Sequence, residues 1–181
     1  MSRRPVVGVM GSGVDRCEPR AAGLGSVLAQ LGVHLLTGGG AGVMESVSRA
    51  FHETPGRQGS VIGVLPCEPD DPLCRTKAGY PNEWVEIPIA THLPLSGLRG
   101  AEPLSRNHIN VLSSNVVVAL PGGPGTASEV ALAVKYRRPV VAYLKDRSEL
   151  PGLPDTVTVT KTLGEVESFL RNNLDWLNPG A

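Results

Sequence analysis

Three apolar runs in this chain each stop at a cluster of glycines. Residues 5–10 (PVVGVM) lead into Gly11-Ser12-Gly13, residues 33–37 (VHLLT) into Gly38-Gly39-Gly40, and residues 115–120 (NVVVAL) into Pro121-Gly122-Gly123-Pro124-Gly125. Short, nearly unbroken apolar runs mark strands buried on both faces of a parallel sheet. Helical patterns lie between them. Residues 20–31 place Leu24, Val27, Leu28 and Leu31 three and four apart before Gly32, and residues 42–52 do the same with Val43, Met44, Val47, Ala50 and Phe51. Residues 60–65, 84–89 and 139–144 read as further strands and 156–159 as a weaker seventh, with Pro88 pointing to an edge or a strand end. Residues 105–113, 126–136 and 163–174 read as helices. This alternation predicts one α/β domain over residues 1–181. It is a Rossmann-like, doubly wound fold with a mainly parallel sheet of about six or seven strands flanked by helices. Its ligand is expected beyond the carboxyl ends of the strands.

Composition narrows the function classes. The 17 Lys+Arg balance 17 Asp+Glu, and only 4% of residues are aromatic. Neither a basic footprint for nucleic acid nor a stacking platform for single strands is present, and no affinity for an anionic membrane surface is expected. No stretch approaches the ~18–20 apolar residues of a membrane span. The start, Met-Ser-Arg-Arg-Pro, runs into a strand without the apolar core of a signal peptide, so a cytoplasmic setting is expected. Cys17, Cys67 and Cys74 are odd in number and form no CxxC, which fits a reducing compartment. A metal at Cys67 and Cys74 would need ligands from elsewhere. Those two lie in residues 66–82, where Pro66, Pro69, Pro72 and Pro81 exclude regular structure. This long loop is either a lid or surface decoration, and decoration is favoured.

In a parallel sheet the three glycine turns share one edge. Glycine lets backbone N–H groups approach an anion, and a helix start adds unpaired donors and partial positive charge. With Arg16, Arg99 and Arg106 in nearby loops or helix starts, the pattern favours a phosphate-bearing ligand. The nicotinamide fingerprint is missing: the first turn reads Gly8-Val9-Met10-Gly11-Ser12-Gly13, and the second strand ends in Thr37-Gly38 rather than an acid. No G-x-x-x-x-G-K-[ST] loop or G-x-S-x-G elbow occurs, and His34, His52, His92 and His108 lack metal-ligand spacing. Glu129 has two readings. Thr126-Ala127-Ser128-Glu129 matches a capping box, which spacing alone favours. The alternative is a general acid, or a partner for a developing sugar cation.

Residues 105–131, SRNHINVLSSNVVVALPGGPGTASEVA, carry a PGGxGTxxE motif. It resembles the signature of the superfamily of the Lonely Guy cytokinin-activating enzymes. The segments GVMGSG at 8–13, LLTGG at 35–39, GVM at 42–44, IGVLP at 62–66, INVLSSNV at 109–116 and GPGTASEVALA at 123–133 are most similar to the molybdenum cofactor carrier protein family. The resemblance spans roughly residues 5–145. It implies a Rossmann-like fold, self-association into dimers or tetramers, and a phosphate site on the PGGxGT loop. The carrier resemblance implies a protein that binds and protects molybdenum cofactor, a phosphorylated pterin, without turnover, with molybdenum enzymes or an insertase as recipients. Gly122, Gly123, Gly125 and Thr126 would then grip the phosphate with Arg106 as partner. Asn107 and Glu129 would complete the site, and Gly11, Ser12, Gly13, Gly38, Gly39 and Gly40 would line the pterin end.

The enzyme branch implies a phosphoribohydrolase that cleaves a nucleoside 5′-monophosphate, with Arg106 and Glu129 as its catalytic pair. Ser105 and Asn107 depart from that branch's Met-Arg-Lys motif. The lysine decarboxylase label given to some relatives finds no support, because none of Lys77, Lys135, Lys145 and Lys161 sits in a pyridoxal-phosphate setting. A DNA-handling relative on the same platform is disfavoured by charge and aromatic content. The helix after the PGGxGT loop, with Val130, Ala131, Val134 and Tyr136, is a candidate oligomer face.

Overall fold

The structure is a computed structural model describing residues 4–68, 71–73 and 75–174. Cys74, and with it the two-cysteine metal reading, lies outside the described residues, as do Pro69 and Asp70. The elements run β1 (Val6–Met10), α1 (Arg20–Gln30), β2 (His34–Thr37), α2 (Val43–Glu53), β3 (Val61–Leu65), β4 (Ile87–Ala90), α3 (Asn107–Leu112), β5 (Val116–Ala119), α4 (Pro124–Lys135), β6 (Val140–Tyr143), β7 (Thr158–Thr160) and α5 (Leu163–Leu174). All seven strands join one sheet, ordered β4-β3-β2-β1-β5-β6-β7, and every pairing is parallel. The chain walks from β1 outward to β4, then returns to the other side of β1 and walks outward to β7. The order therefore reverses between β1 and β5, and a crevice opens there beyond the strand ends. β4, with Pro88, is an edge strand, as its proline predicts.

Alternate residues of each central strand feed opposite layers. Val116, Val118 and Leu120 pack with Leu24, Leu28, Val47, Phe51 and Leu170, in the layer of α1, α2 and α5. Val117 turns the other way, toward Met10, Val111 and Leu132 under α3 and α4, while Ala119 meets Val130, Ala142 and Leu150. Val130 is thus core rather than oligomer face; Val134, on the same helix, is exposed. Period-two alternation with both faces apolar is what makes these strands read as continuous hydrophobic runs.

α1 and α2 cross closely at Gly25. A β-carbon there would sit 2.5 Å from the Val47 carbonyl oxygen and 3.0 Å from the Ala50 β-carbon. Neither backbone can yield locally, so the crossing requires glycine. Gly25→Ala therefore loses about 1–3 kcal/mol through overpacking, partly offset by better helix propensity. Urea unfolding should show a lower midpoint; an unchanged or higher midpoint would contradict this packing.

Candidate functional site

A cleft of about 340 Å³ sits over the β1–β5 reversal. Its walls come from the turn after β1 (Gly11, Ser12, Gly13, Val14), from Gly38 after β2, and from the start of α4 (Gly123, Pro124, Gly125, Thr126). Arg106, Asn107 and Glu129 close its inner side, and Met44, Tyr80, Ser96 and Gly97 also reach it. Backbone links fix the turns to one another. The Ser12 amide donates to the Pro121 carbonyl at 2.9 Å, and the Val43 amide donates to the Ser12 carbonyl at 2.9 Å. The Ser12 hydroxyl accepts from the amides of Val14 and Asp15. It is a turn cap rather than a nucleophile. Gly42, at φ 66°, starts α2 against this turn, where a β-carbon would stand 2.4 Å from the Ser12 carbonyl oxygen.

Not every glycine of the three turns reaches the cleft. Gly39 packs against Leu65 and Gly63, Gly40 lies beneath the Tyr80 ring, and Gly122 abuts the Thr126 hydroxyl. They shape the turns without lining the cleft. Arg16 is paired with Glu45 and Arg99 with Glu102, each at 2.8–2.9 Å, and neither reaches the cleft. Of the three arginines expected near an anion, only Arg106 is there.

Arg106 precedes α3 and is 6% exposed. Its Nη1 donates to the carbonyls of Gly38 (3.0 Å) and Val64 (2.6 Å), and its guanidinium lies 5.6 Å from the centre of the Tyr80 ring. Its Nε, also buried, has no hydrogen-bond partner among the described residues. In the same cleft, α4 begins with Gly123 as N-cap and Pro124 in the first turn, and no side chain among the described residues caps it. The first backbone bond of the helix runs from the Ala127 amide to the Gly123 carbonyl at 3.1 Å. The amides of Gly125 and Thr126 thus find no acceptor within the helix. A buried guanidinium with a spare donor lines the same cleft as bare amides at the positive end of a twelve-residue helix, an arrangement chemically suited to an anion.

The capping-box reading of Thr126 and Glu129 is overturned. α4 starts two residues earlier, because Pro124 is suited to the first helical position. Glu129 then falls in the second turn, buried, where its Oε1 accepts from Asn110 Nδ2 at 2.7 Å. Burial pushes its carboxyl above the usual glutamate range, against the opposing pull of Arg106 and of the Asn110 hydrogen bond. No ion pair within 4 Å joins Arg106 to Glu129 among the described residues. Asn107 donates through Nδ2 to the Ser128 hydroxyl at 3.0 Å, tying α3 to α4. Val14, Met44, Ser96, Gly97 and Tyr80 escape the sequence reading as cleft-lining residues, and so does Asn110 as the partner of Glu129. Asn110 sits four positions after Arg106, hence on the same helical side, a legible signal; Tyr80 comes from the proline-rich loop and carries no such signal. Among the described residues no cluster of His, Cys, Asp or Glu could hold a metal, and no helix is long and apolar enough to cross a membrane.

The model of the SLOG cluster4 family matches residues 4–168. The chain belongs to this family. It is similar to the molybdenum cofactor binding protein of the phototrophic bacterium Rippkaea orientalis, with 33% identity and a TM-score of 0.73 over 95% of this chain and 98% of that one. It is also similar to the molybdenum cofactor carrier protein of Chlamydomonas reinhardtii, with 35% identity and a TM-score of 0.70 over 96% and 99% of the two chains. An uncharacterized protein of Archaeoglobus fulgidus is 32% identical over 151 residues, covering 81% of this chain and 84% of its own.

The raised Glu129 carboxyl has a pH signature. The folded protein holds this proton more tightly than the unfolded chain, so the unfolded chain binds fewer protons between the two values. The stability Glu129 contributes is complete below the ordinary glutamate range and is lost as pH rises through the folded-state value. Glu129→Gln keeps the oxygen that accepts from Asn110 and removes the titration. Unfolding free energy followed from about pH 4 to 8 should fall less with pH in the variant than in the parent; identical slopes would show Glu129 to be unperturbed.

Proposed function

We propose that this protein is a carrier that binds and protects molybdenum cofactor, or a closely similar phosphorylated pterin, with the phosphate on the PGGPGT loop. The observation that carries this reading is the unpartnered Nε of buried Arg106 beside the uncapped start of α4. Relatives that bind or carry molybdenum cofactor, similar over nearly the whole chain, supply the identity of the cargo. Gly123, Gly125 and Thr126 would offer amide donors to the phosphate oxygens, with Arg106 as the charge-assisted partner. Gly11, Ser12, Gly13 and Gly38 would border the pterin. Met44, largely buried, lines the cleft and would give part of its wall an apolar surface against a reactive cargo. The cargo supplies the metal chemistry; the chain's part is to hold, orient and shield it. The reading includes a cytoplasmic setting, self-association into a dimer or tetramer, and delivery to molybdenum enzymes or an insertase. Support for self-association comes from Leu98, Leu104, Leu112 and Val134, apolar side chains left exposed around α3 and α4.

One observation favours a second reading. Glu129 borders the cleft with its carboxyl held toward the protonated form, as a general acid requires. A phosphoribohydrolase acting on nucleoside 5′-monophosphates would use it so, with Arg106 as electrostatic partner. Incubation with AMP and cytokinin ribotides separates the two readings. The carrier reading expects no free base; turnover abolished by Glu129→Ala would replace it.

The phosphate site itself is tested by Gly123→Asp. Gly123 has extended N-cap geometry, and a β-carbon there meets nothing within 4 Å. An aspartate would cap α4 with its own carboxylate, raising stability by a few tenths of a kcal/mol while occupying and repelling the anion site. Folded variant protein that loses co-purified pterin and molybdenum at least about tenfold, a change of ~1.4 kcal/mol, is the expected result. Undiminished loading would remove the phosphate from this loop.

A further inference from the structure

Resting on the pterin reading above, the geometry points to Tyr80 as the residue that selects a planar heterocycle in the cleft, its ring forming the wall on which the heterocycle stacks while the phosphate sits at α4. The chain is poor in aromatic residues, at 4%, and Tyr80 is the one aromatic side chain bordering the cleft among the described residues. It arrives there by construction. The loop after β3 closes on itself through an antiparallel bridge between Cys67 and Thr76 and a bond from the Lys77 amide to the Pro66 carbonyl at 3.1 Å. It then returns onto the second glycine turn, where the Asn82 amide donates to the Gly39 carbonyl at 2.8 Å and Asn82 Nδ2 to the Gly40 carbonyl at 2.7 Å. These two bonds seat the preceding Tyr80 over Gly40, whose missing side chain leaves the room.

Tyr80 is half-buried against Gly40 and the Arg106 guanidinium, and its hydroxyl makes no hydrogen bond among the described residues, so the hydroxyl and the part of the ring that borders the cleft remain for a ligand. The spacing suits such a ligand. Tyr80 stands over the turn after β2, 5.6 Å from the Arg106 guanidinium, and the start of α4 follows β5; with β1 between them the two turns are two strand spacings apart, about 10 Å. That is the scale of a fused heterocycle carrying a phosphomethyl arm. A purely structural role, covering the Arg106 guanidinium, predicts something different: loss of the ring would disturb every anion alike.

The test compares three probes on the parent and on Tyr80→Ala and Tyr80→Phe: hydroxymethylpterin phosphate, AMP and inorganic phosphate. Stacking expects the parent to bind the pterin phosphate more tightly than AMP or phosphate. Tyr80→Ala should weaken the pterin phosphate about tenfold with phosphate unchanged, and Tyr80→Phe should stay within about threefold of the parent, since it keeps the ring. The proposal is overturned if Tyr80→Ala weakens pterin phosphate and phosphate equally, if it weakens neither, or if the parent prefers AMP. A parent that binds none of the three overturns the phosphate-site reading itself, together with this one.

Discussion

The cleft depends on one buried cation. Arg106 shares Nη1 between the carbonyls of Gly38 and Val64, so a single guanidinium ties the turn after β2, the end of β3 and the start of α3 together. Burying a charge this deeply is costly unless its donors are used. Two carbonyls and the Tyr80 ring meet part of that demand, and Nε stays unmet among the described residues. Ser48 Oγ, Trp84 Nε1 and Asn110 Oδ1 are likewise buried and unmet among the described residues, but Arg106 is the one cation of the four and the one that lines the cleft, which is why a bound anion is the partner it suits. The start of α4 lines the same cleft, which the sheet order opens: β1 and β5 are neighbours from which the chain departs in opposite directions.

Much of the architecture was legible in the sequence because it rests on local rules. Alternating both-face-apolar strands and three-to-four-residue helical spacing give the α/β class directly, and α5 spans the residues 163–174 that its periodicity predicts. The weak seventh strand exists, shifted to Thr158–Thr160, and the proline in β4 sits on the sheet edge. Boundaries moved where tertiary contacts trim the ends. α3 shrinks to Asn107–Leu112, with Arg106 and Ser113 as its caps, both still in helical backbone geometry.

The site was legible in its residue types and less so in their roles. Thr126 and Glu129 have the spacing of a capping box, yet proline in the first turn moved the helix start and left Glu129 inside. The same four-residue pattern does cap α5, where the Glu165 amide donates to the Thr162 hydroxyl and Glu165 Oε2 accepts from the Thr162 amide at 2.9 Å. Spacing alone does not distinguish the two; the position of the first helical proline does. Arg16 and Arg99 were drawn to acids on their own surface, a pairing that no local pattern reveals. Tyr80 is the clearest case of a long-range determinant, because its placement follows from Asn82 meeting a turn more than forty residues earlier in the chain.

The central claim is that the unpaired Arg106 Nε–H and the amides of Gly123, Gly125 and Thr126 form one anion seat. The most direct measurement is an NMR titration of the isotope-labelled protein with inorganic phosphate, following backbone amides and arginine Nε–H signals together. The account predicts that these four signals move first and saturate with a common midpoint. Phosphate that shifts signals elsewhere while these four stay still would contradict it.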